Sequence, residues 1–361
     1  MHWPFCKSKC PYCDFNSHVR ESIDQDSWLN AYIKELDYYK DILHGRKITS
    51  LFFGGGTPSL AEPRVIETII NKIAVSADTE ITMEANPTSI EAKRFAQYAK
   101  AGVNRVSIGV QSFRPEQLKF LGREHSGEEA MKAIELAQKY FPRYSFDLIY
   151  SLPEQSLADW QKELEFALRL ASGHLSLYQL TIEKGTRFFS DHKRKLFSMP
   201  DDDRSAEAFT LTNAIMESHQ MPGYEVSNYA RAGQECQHNL NYWRYGDYIG
   251  IGPGAHGRYT NEAGAKLATI DHYSPEEWLN SIGTHGHGLK SEIALTAEEV
   301  HQETILMGIR LREGIDASLV KDKDKLAFLE GQGLVILEQG NVKATPQGRL
   351  LLNRLVAELS L

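Results

Sequence analysis

Leu51-Phe52-Phe53-Gly54-Gly55-Gly56-Thr57-Pro58 is an apolar run that ends in three glycines. The run reads as a buried strand and the glycines as the turn after it, because residues without a Cβ let backbone groups approach a ligand closely. Helical periodicity follows from Arg64 to Ala74. The same alternation continues to about Thr181. Strand-like runs span Ile48 to Phe53, Glu80 to Glu84, Arg105 to Val110, Tyr144 to Tyr150 and His174 to Leu180. Helix-like stretches lie between them, at Ser89 to Ala101, Gly127 to Tyr140 and Leu157 to Ala171. A period of roughly 30 residues is that of βα units. With one more strand just before Cys6, the fold expected is α/β, a partial (β/α)6 barrel whose chemistry gathers at the C-terminal strand ends.

The unusual residues fall at those ends: Gly54 to Pro58, Glu84-Ala85-Asn86-Pro87, Gly109-Val110-Gln111, and Asp147. Ahead of them stands Cys6-x3-Cys10-x2-Cys13, the sharpest signal in the chain. Three thiolates hold three irons of a [4Fe–4S] cube and leave the fourth open to a small molecule. A structural zinc would need a fourth ligand such as His2 or His18, and zinc sites usually pair C-x2-C with a distant second pair. Here the only other cysteine is Cys236. The spacing favours the cluster.

The rest of the composition narrows the class. The chain has 361 residues, 42% of them hydrophobic, enough for one large domain and a smaller one. Its net charge of −8 argues against a broad nucleic-acid surface or a membrane-surface protein. No apolar run reaches the ~20 residues of a membrane span, and no secretory signal is seen. Clustered cysteines point to a reducing compartment, hence the cytoplasm. A cluster loop hangs from a strand, yet Cys6 stands almost at the start; the expectation is that the chain is truncated or its start misplaced.

Past Pro200 the texture changes. Asp201-Asp202-Asp203 caps a helix running to about His219. Residues 222–290, rich in Gly, Tyr, Asn and His, read as loops and short strands. From Thr296 a helical section resumes. Its order of helix, Leu334 to Leu337, turn, Val342 to Ala344, helix resembles a small winged-helix module. The charge there is nearly balanced, so it reads as a packing lid over the barrel rather than a DNA reader. The division expected is a core barrel at 1–220, a linking region at 221–290 and a mainly helical C-terminal domain at 291–361.

The cysteine spacing followed by a glycine-rich strand end resembles the radical S-adenosylmethionine (SAM) signature, which makes the barrel expected a radical SAM barrel. The resemblance implies that the open iron chelates SAM and that one electron cleaves its sulfonium, giving methionine and a 5′-deoxyadenosyl radical. It also implies that Gly54, Gly55, Gly56 and Thr57 bind the methionine amino end. Glu84, Gln111, Arg123 and Asp147, in Glu-x-Asn-Pro, Gly-Val-Gln, Gly-Arg-Glu and Asp-Leu-Ile-Tyr, are similar to the SAM contacts of the oxygen-independent coproporphyrinogen III dehydrogenase group. A carboxylate there hydrogen-bonds a ribose hydroxyl or the ammonium, and the arginine pairs with the methionine carboxylate.

Within that group the chain resembles the haem-chaperone branch along nearly its whole length. True dehydrogenases carry a further cysteine two residues past the third cluster ligand, where this chain has Phe15. The branch is also marked by His238-Asn239-Leu240-Asn241-Tyr242-Trp243, followed by Gly250 to Gly257. The resemblance links the first segment to haem. It implies His238 as axial ligand, Cys236 as a possible second ligand, and Tyr242 and Trp243 as cover for a porphyrin face. The partners implied are haem or porphyrin, a haem-acceptor protein and an electron donor to the cluster. The competing expectation is an oxygen-independent coproporphyrinogen III dehydrogenase, which decarboxylates two propionates to vinyl groups. The family's SAM-holding tyrosine would fall before Met1, so weaker cofactor binding and a poorly paired barrel edge are expected.

Overall fold

A computed structural model describes residues 1–360. Six parallel strands form the sheet in sequence order: β1 (His2–Trp3), β2 (Ser50–Gly55), β3 (Glu80–Ala85), β4 (Arg105–Gln111), β5 (Arg143–Tyr150) and β6 (His174–Gln179). A seventh, β7 (Asn228–Ala230), closes the far edge antiparallel to β6. Helices such as Pro63–Lys72, Gly127–Tyr140 and Leu157–Leu170 connect successive strands, so the partial barrel expected from the alternation is present.

The two faces of the strands are chemically opposite. Ile81, Met83, Val106, Ile108, Phe146, Leu148, Leu175 and Leu177 belong to the main apolar core. The residues between them meet one another inside the barrel. Arg143 Nη1 donates to Glu80 Oε2 at 2.7 Å, Ser107 to Asp147 at 3.1 Å, and Ser145 Oγ lies 2.7 Å from His174 Nδ1. Strand alternation therefore puts a polar ladder in the interior, where each buried polar group needs a partner.

Several expectations are adjusted by tertiary contacts. The helix read from Ser89 to Ala101 is split into Ser89–Ala92 and Phe95–Lys100, because the Arg94 N–H bonds the carbonyl of Glu91, three residues back. The barrel edge is not bare. His2 N–H donates to Ile251 O at 2.8 Å, and Tyr32 OH donates to His2 O at 2.7 Å. A Cβ on Gly252 would stand 2.4 Å from His2 O, so only glycine lets that segment lie against β1.

Residues 222–290 hold more order than loops and short strands. They form a three-stranded antiparallel sheet of His256–Thr260, Lys266–Asp271 and Leu289–Ala294, with helices Gln237–Trp243 and Pro275–His285. The last helix has the Ser274 cap, Pro275 at its first position, and Trp278 and Ile282 buried four apart. Trp278 stacks on Trp28, centroids 5.3 Å apart, and so ties this region to the first helix, Gln25–Tyr38.

The C-terminal module has its own core around Ile305, Ile315, Leu329, Val342 and Leu355. Its hairpin, Val335–Glu338 with Asn341–Ala344, lies between helices Lys323–Gly331 and Leu352–Leu359, in the winged-helix order. It packs against Tyr224, Glu225 and Arg244 through Arg312, Arg349 and Glu313, and its residues line neither main cavity. It is therefore not a lid over the barrel mouth. No helix among the described residues is long and apolar enough to cross a membrane.

Candidate cluster site and a second cavity

A cavity of about 620 Å³ opens at the C-terminal strand ends. Cys6, Cys10 and Cys13 all line it, as do Gly55, Gly56, Thr57, Glu84, Gln111, Arg123 and Asp147. Of the residues expected there, Gly54 alone sits on the other side of the wall, in a second cavity.

The three thiols are free, and each has a polar side chain beside it. Thr57 Oγ1 donates to Cys6 Sγ at 3.4 Å, Arg123 Nη1 donates to Cys10 Sγ at 3.3 Å, and Ser17 Oγ lies 4.0 Å from Cys13 Sγ. Burial raises the Cys6 and Cys13 thiols above the ordinary cysteine value, with hydrogen bonds pulling part of the way back. A bound metal relieves that cost by taking the proton's place. Among the described residues no group of three or more His, Cys, Asp or Glu side chains is placed to hold a single metal ion, so neither His2 nor His18 completes a zinc site with the thiols. The donor set fits an iron–sulfur cube better than a lone zinc.

One chain of bonds joins two of the thiols. Thr57, bonded to Cys6, accepts from Asn86 Nδ2 at 3.2 Å. Asn86 Oδ1 in turn accepts from Arg123 Nη2 at 2.7 Å, and Arg123 reaches Cys10. Arg123 also donates to Gly109 O at 2.8 Å, while its buried Nε has no partner. Asn86, part of the Glu84 to Pro87 strand end, is not among the contacts expected from the sequence. It lies two residues past Glu84, on the same side of the chain, and the period-two rule for β3 would have found it.

The glycine turn serves the fold as well as the cavity. A Cβ on Gly56 would meet Phe5 O at 2.7 Å, and one on Gly55, whose φ is +114°, would meet the His2 ring at 2.7 Å. The glycines thus let the end of β2 close against β1 and the Phe5–Cys6 strand that follows it. Gly55 N–H donates to Glu84 Oε2 at 3.2 Å. Burial first, then the neighbouring Asp147 charge, pushes the Glu84 carboxyl up to about 8. Burial likewise raises Asp147 to about 6, opposed by Ser176 and Ser107. Gln111 takes a left-handed φ of +67° where β4 is irregular, a strained conformation found at ligand sites.

The second cavity, of about 1000 Å³, lies between the inner side of β2 and the 238–256 segment. Lys9, Asp14, Phe15, Gly55 and Glu84 line both cavities. His238 lies flat on Phe52, ring centroids 4.2 Å apart, and meets Tyr242 edge-on at 4.6 Å. Burial lowers the His238 pKa to about 3, so the ring is neutral with a lone pair at physiological pH.

The other haem candidates divide. Tyr242 lines the cavity with His238. Cys236 does not: it is 1% exposed, its thiol donates to Glu80 Oε1 at 3.4 Å, and burial raises its pKa to about 11. Trp243 also turns away, packed with Tyr224, Leu240 and Leu311. Helical geometry explains the division: the segment expected as a loop is the helix Gln237–Trp243, which puts positions 238 and 242 on one face and 243 on another.

Comparison with known proteins agrees with this arrangement. Residues 1–167 match the Radical SAM superfamily, and residues 295–351 match the HemN C-terminal domain. Heme chaperone HemW of Escherichia coli is 42% identical over 87% of this chain and 82% of that protein. The mitochondrial radical S-adenosyl methionine domain-containing protein 1 of Bos taurus is 34% identical over 99% of this chain and 86% of its own. The solved structure of E. coli coproporphyrinogen III oxidase (HemN), described as a radical SAM enzyme, superposes with a TM-score of 0.84 at 22% identity, covering 99% of this chain and 88% of that one. An open parallel barrel with three cysteines at its mouth is thus the scaffold of a radical SAM protein. Within that superfamily the chain belongs to the HemW family, which shares its fold with HemN.

Proposed function

We propose that this protein is a haem-binding chaperone that holds a [4Fe–4S] cluster on Cys6, Cys10 and Cys13, with SAM beside it, and passes haem to an acceptor protein. The observation that carries the reading is the common wall of the two cavities. Gly55 and Glu84 border both, so a ligand in one is a single layer of residues from a ligand in the other.

When bound, the cluster and SAM supply one-electron cleavage of a sulfonium. The chain's own groups bind and orient. Gly55, Gly56 and Thr57 offer close backbone approach to the methionine end, while Gly54 faces the second cavity. Glu84 accepts from the methionine ammonium or a ribose hydroxyl, and Gln111 and Asp147 complete the polar wall. Arg123 keeps its bond to Cys10 and turns its unpartnered Nε–H to the methionine carboxylate. In the second cavity His238 ligates haem iron through its neutral ring, and Tyr242 covers part of the porphyrin.

On this reading residues 1–220 carry the cluster and SAM, 221–290 the haem segment, and 291–361 form a separate helical domain. The compartment is the cytoplasm, where thiols stay reduced. The partners are an electron donor, haem and a haem acceptor. No specific observation favours the dehydrogenase. Phe15 stands where that enzyme has a cysteine, and the likeness to HemN is one of fold.

The test is a haem titration followed by absorbance, comparing the parent chain with His238→Ala. Saturation near one haem per chain, lost in the variant, is expected. A folded parent with no saturable binding would overturn the reading and call for an anaerobic assay on coproporphyrinogen III.

A further inference from the structure

Haem is an apolar plate with two propionate carboxylates at one edge, so the charged side chains along a haem cavity decide which way the plate lies. β2 runs the length of the second cavity, from Ser50 to Gly55, with His238 against Phe52 between them. Five strand steps separate its ends by roughly 17 Å. The wall between is apolar and aromatic, with Leu51, Ile249, Tyr242 and Tyr248.

The two ends differ in charge. Arg46 and Lys47 stand in the loop that leads into the N-terminal end of β2, and both line the cavity. The carboxylate at that end is Asp247, and it is already taken. It accepts from Lys266 Nζ at 2.6 Å, from Arg46 Nη1 at 2.8 Å and from the Thr260 N–H at 2.7 Å. Arg46 Nη2 also donates to Thr260 O, which fixes the guanidinium and leaves three of its five N–H groups over. Lys47 reaches Asp78, but both side chains of that pair are largely exposed, and such pairs hold little energy. Earlier in the loop Lys40 and Asp41 offset each other. The excess at this end is positive. At the Gly55 end the charged side chains are Lys9, Asp14 and Glu84. Even with Glu84 kept protonated by burial, Asp14 balances Lys9 there.

Resting on the reading that this cavity holds haem, we propose that Arg46 and Lys47 bind the two propionates, so that the porphyrin lies along β2 with its propionate edge at the Ser50 end and its opposite edge toward the Gly55–Glu84 wall. Charge-assisted bonds from Arg and Lys are the strong partners of a carboxylate. Held so, the propionates stand a strand's length from the first cavity. The carbons that a dehydrogenase attacks are then out of reach of that cavity, which suits a protein that carries haem and does not alter its side chains.

The probes are iron protoporphyrin IX and its dimethyl ester, titrated in the same detergent and followed by Soret absorbance. The parent should bind the diacid about tenfold more tightly than the diester. R46Q/K47Q should lose that preference, bind the diester as the parent does, and keep the parent's Soret maximum, because His238 is untouched. Arg46 also bonds Asp247, so Lys47→Glu alone, at an exposed side chain, guards against a folding defect. It should keep the parent's melting temperature, weaken the diacid severalfold and leave the diester unchanged. Lys9→Gln, at the other end, should bind both porphyrins as the parent does. Equal affinity of the parent for diacid and diester, or a preference lost in Lys9→Gln and kept in R46Q/K47Q, would overturn the proposal and leave the haem reading standing. A folded parent with no saturable binding of either porphyrin would sink the haem reading and the proposal with it.

Discussion

The carboxylate of Glu80, at the start of β3, accepts the main-chain N–H of Gln237 at 2.9 Å, across 157 residues of sequence. It also takes the Cys236 thiol and, more loosely, the His238 N–H at 3.4 Å, while Arg143 holds its other oxygen. A side chain from inside the barrel thus caps the helix that carries His238, a helix with no cap of its own. The carboxylate suits that end of the helix dipole.

Glu80→Gln removes the charge but keeps an amide oxygen. The variant leaves Arg143 and Arg105 without their anion, and about 3 kcal/mol of stability should go with it. Because the cap orients His238, haem affinity should weaken several-fold while the absorbance spectrum of bound haem stays that of the parent. A calorimetric melt and a haem titration check the two halves. Full affinity in a destabilised variant would separate the cap from the haem site.

Cys236→Ala should leave haem binding and its spectrum unchanged, since the thiol faces Glu80 and not the cavity. The loss of a buried thiol and its hydrogen bond should cost about 1–2 kcal/mol. A shifted Soret band in this variant would restore Cys236 as a ligand.

Arg123→Met removes a charged donor from Cys10 Sγ. Hydrogen bonds to cluster sulfurs stabilise the more negative, reduced state. Losing a charged hydrogen bond of about 1.5 kcal/mol should lower the one-electron potential by roughly 60 mV. An EPR-monitored redox titration reads the shift, and a potential that rises or stays put would show that Arg123 serves only to hold Asn86.

On the proposed reading, in which Glu84 meets SAM, binding of SAM should depend on pH. Its carboxyl, pushed up to about 8, is protonated at neutral pH in the free protein. A bound cation favours the ionised form, so each binding event releases a proton below that value. Affinity should therefore rise with pH, by up to roughly tenfold per unit between about pH 6 and 7.5. Calorimetry in buffers of different ionisation enthalpy counts the proton. Glu84→Gln should bind SAM weakly, with a flat pH profile and a cluster still in place; a parent profile already flat would remove Glu84 from the cation's reach.

The barrel was legible because its cause is local. Apolar runs ending in glycine, separated by amphipathic stretches, specify β2 to β6 through strand and helix periodicity alone, and Cys6, Cys10 and Cys13 declare themselves by spacing. The polar residues at the strand ends were legible too, because βα topology sends every C-terminal end to the same mouth. The identity of each residue's partner was not. Whether Arg123 bonds a ligand or Cys10, whether Cys236 faces a cavity or Glu80, and whether Trp243 turns in or out depend on which distant segment packs against it. The sequence of residues 222–290 reads as loops and short strands because the helix at Gln237 is capped by a carboxylate from β3 rather than by a neighbour in sequence. Local periodicity settles the elements, since their energies come from residues a few positions apart. Contacts across more than a hundred residues settle where each polar group finds its partner, since a buried donor or acceptor takes the nearest one that the fold supplies.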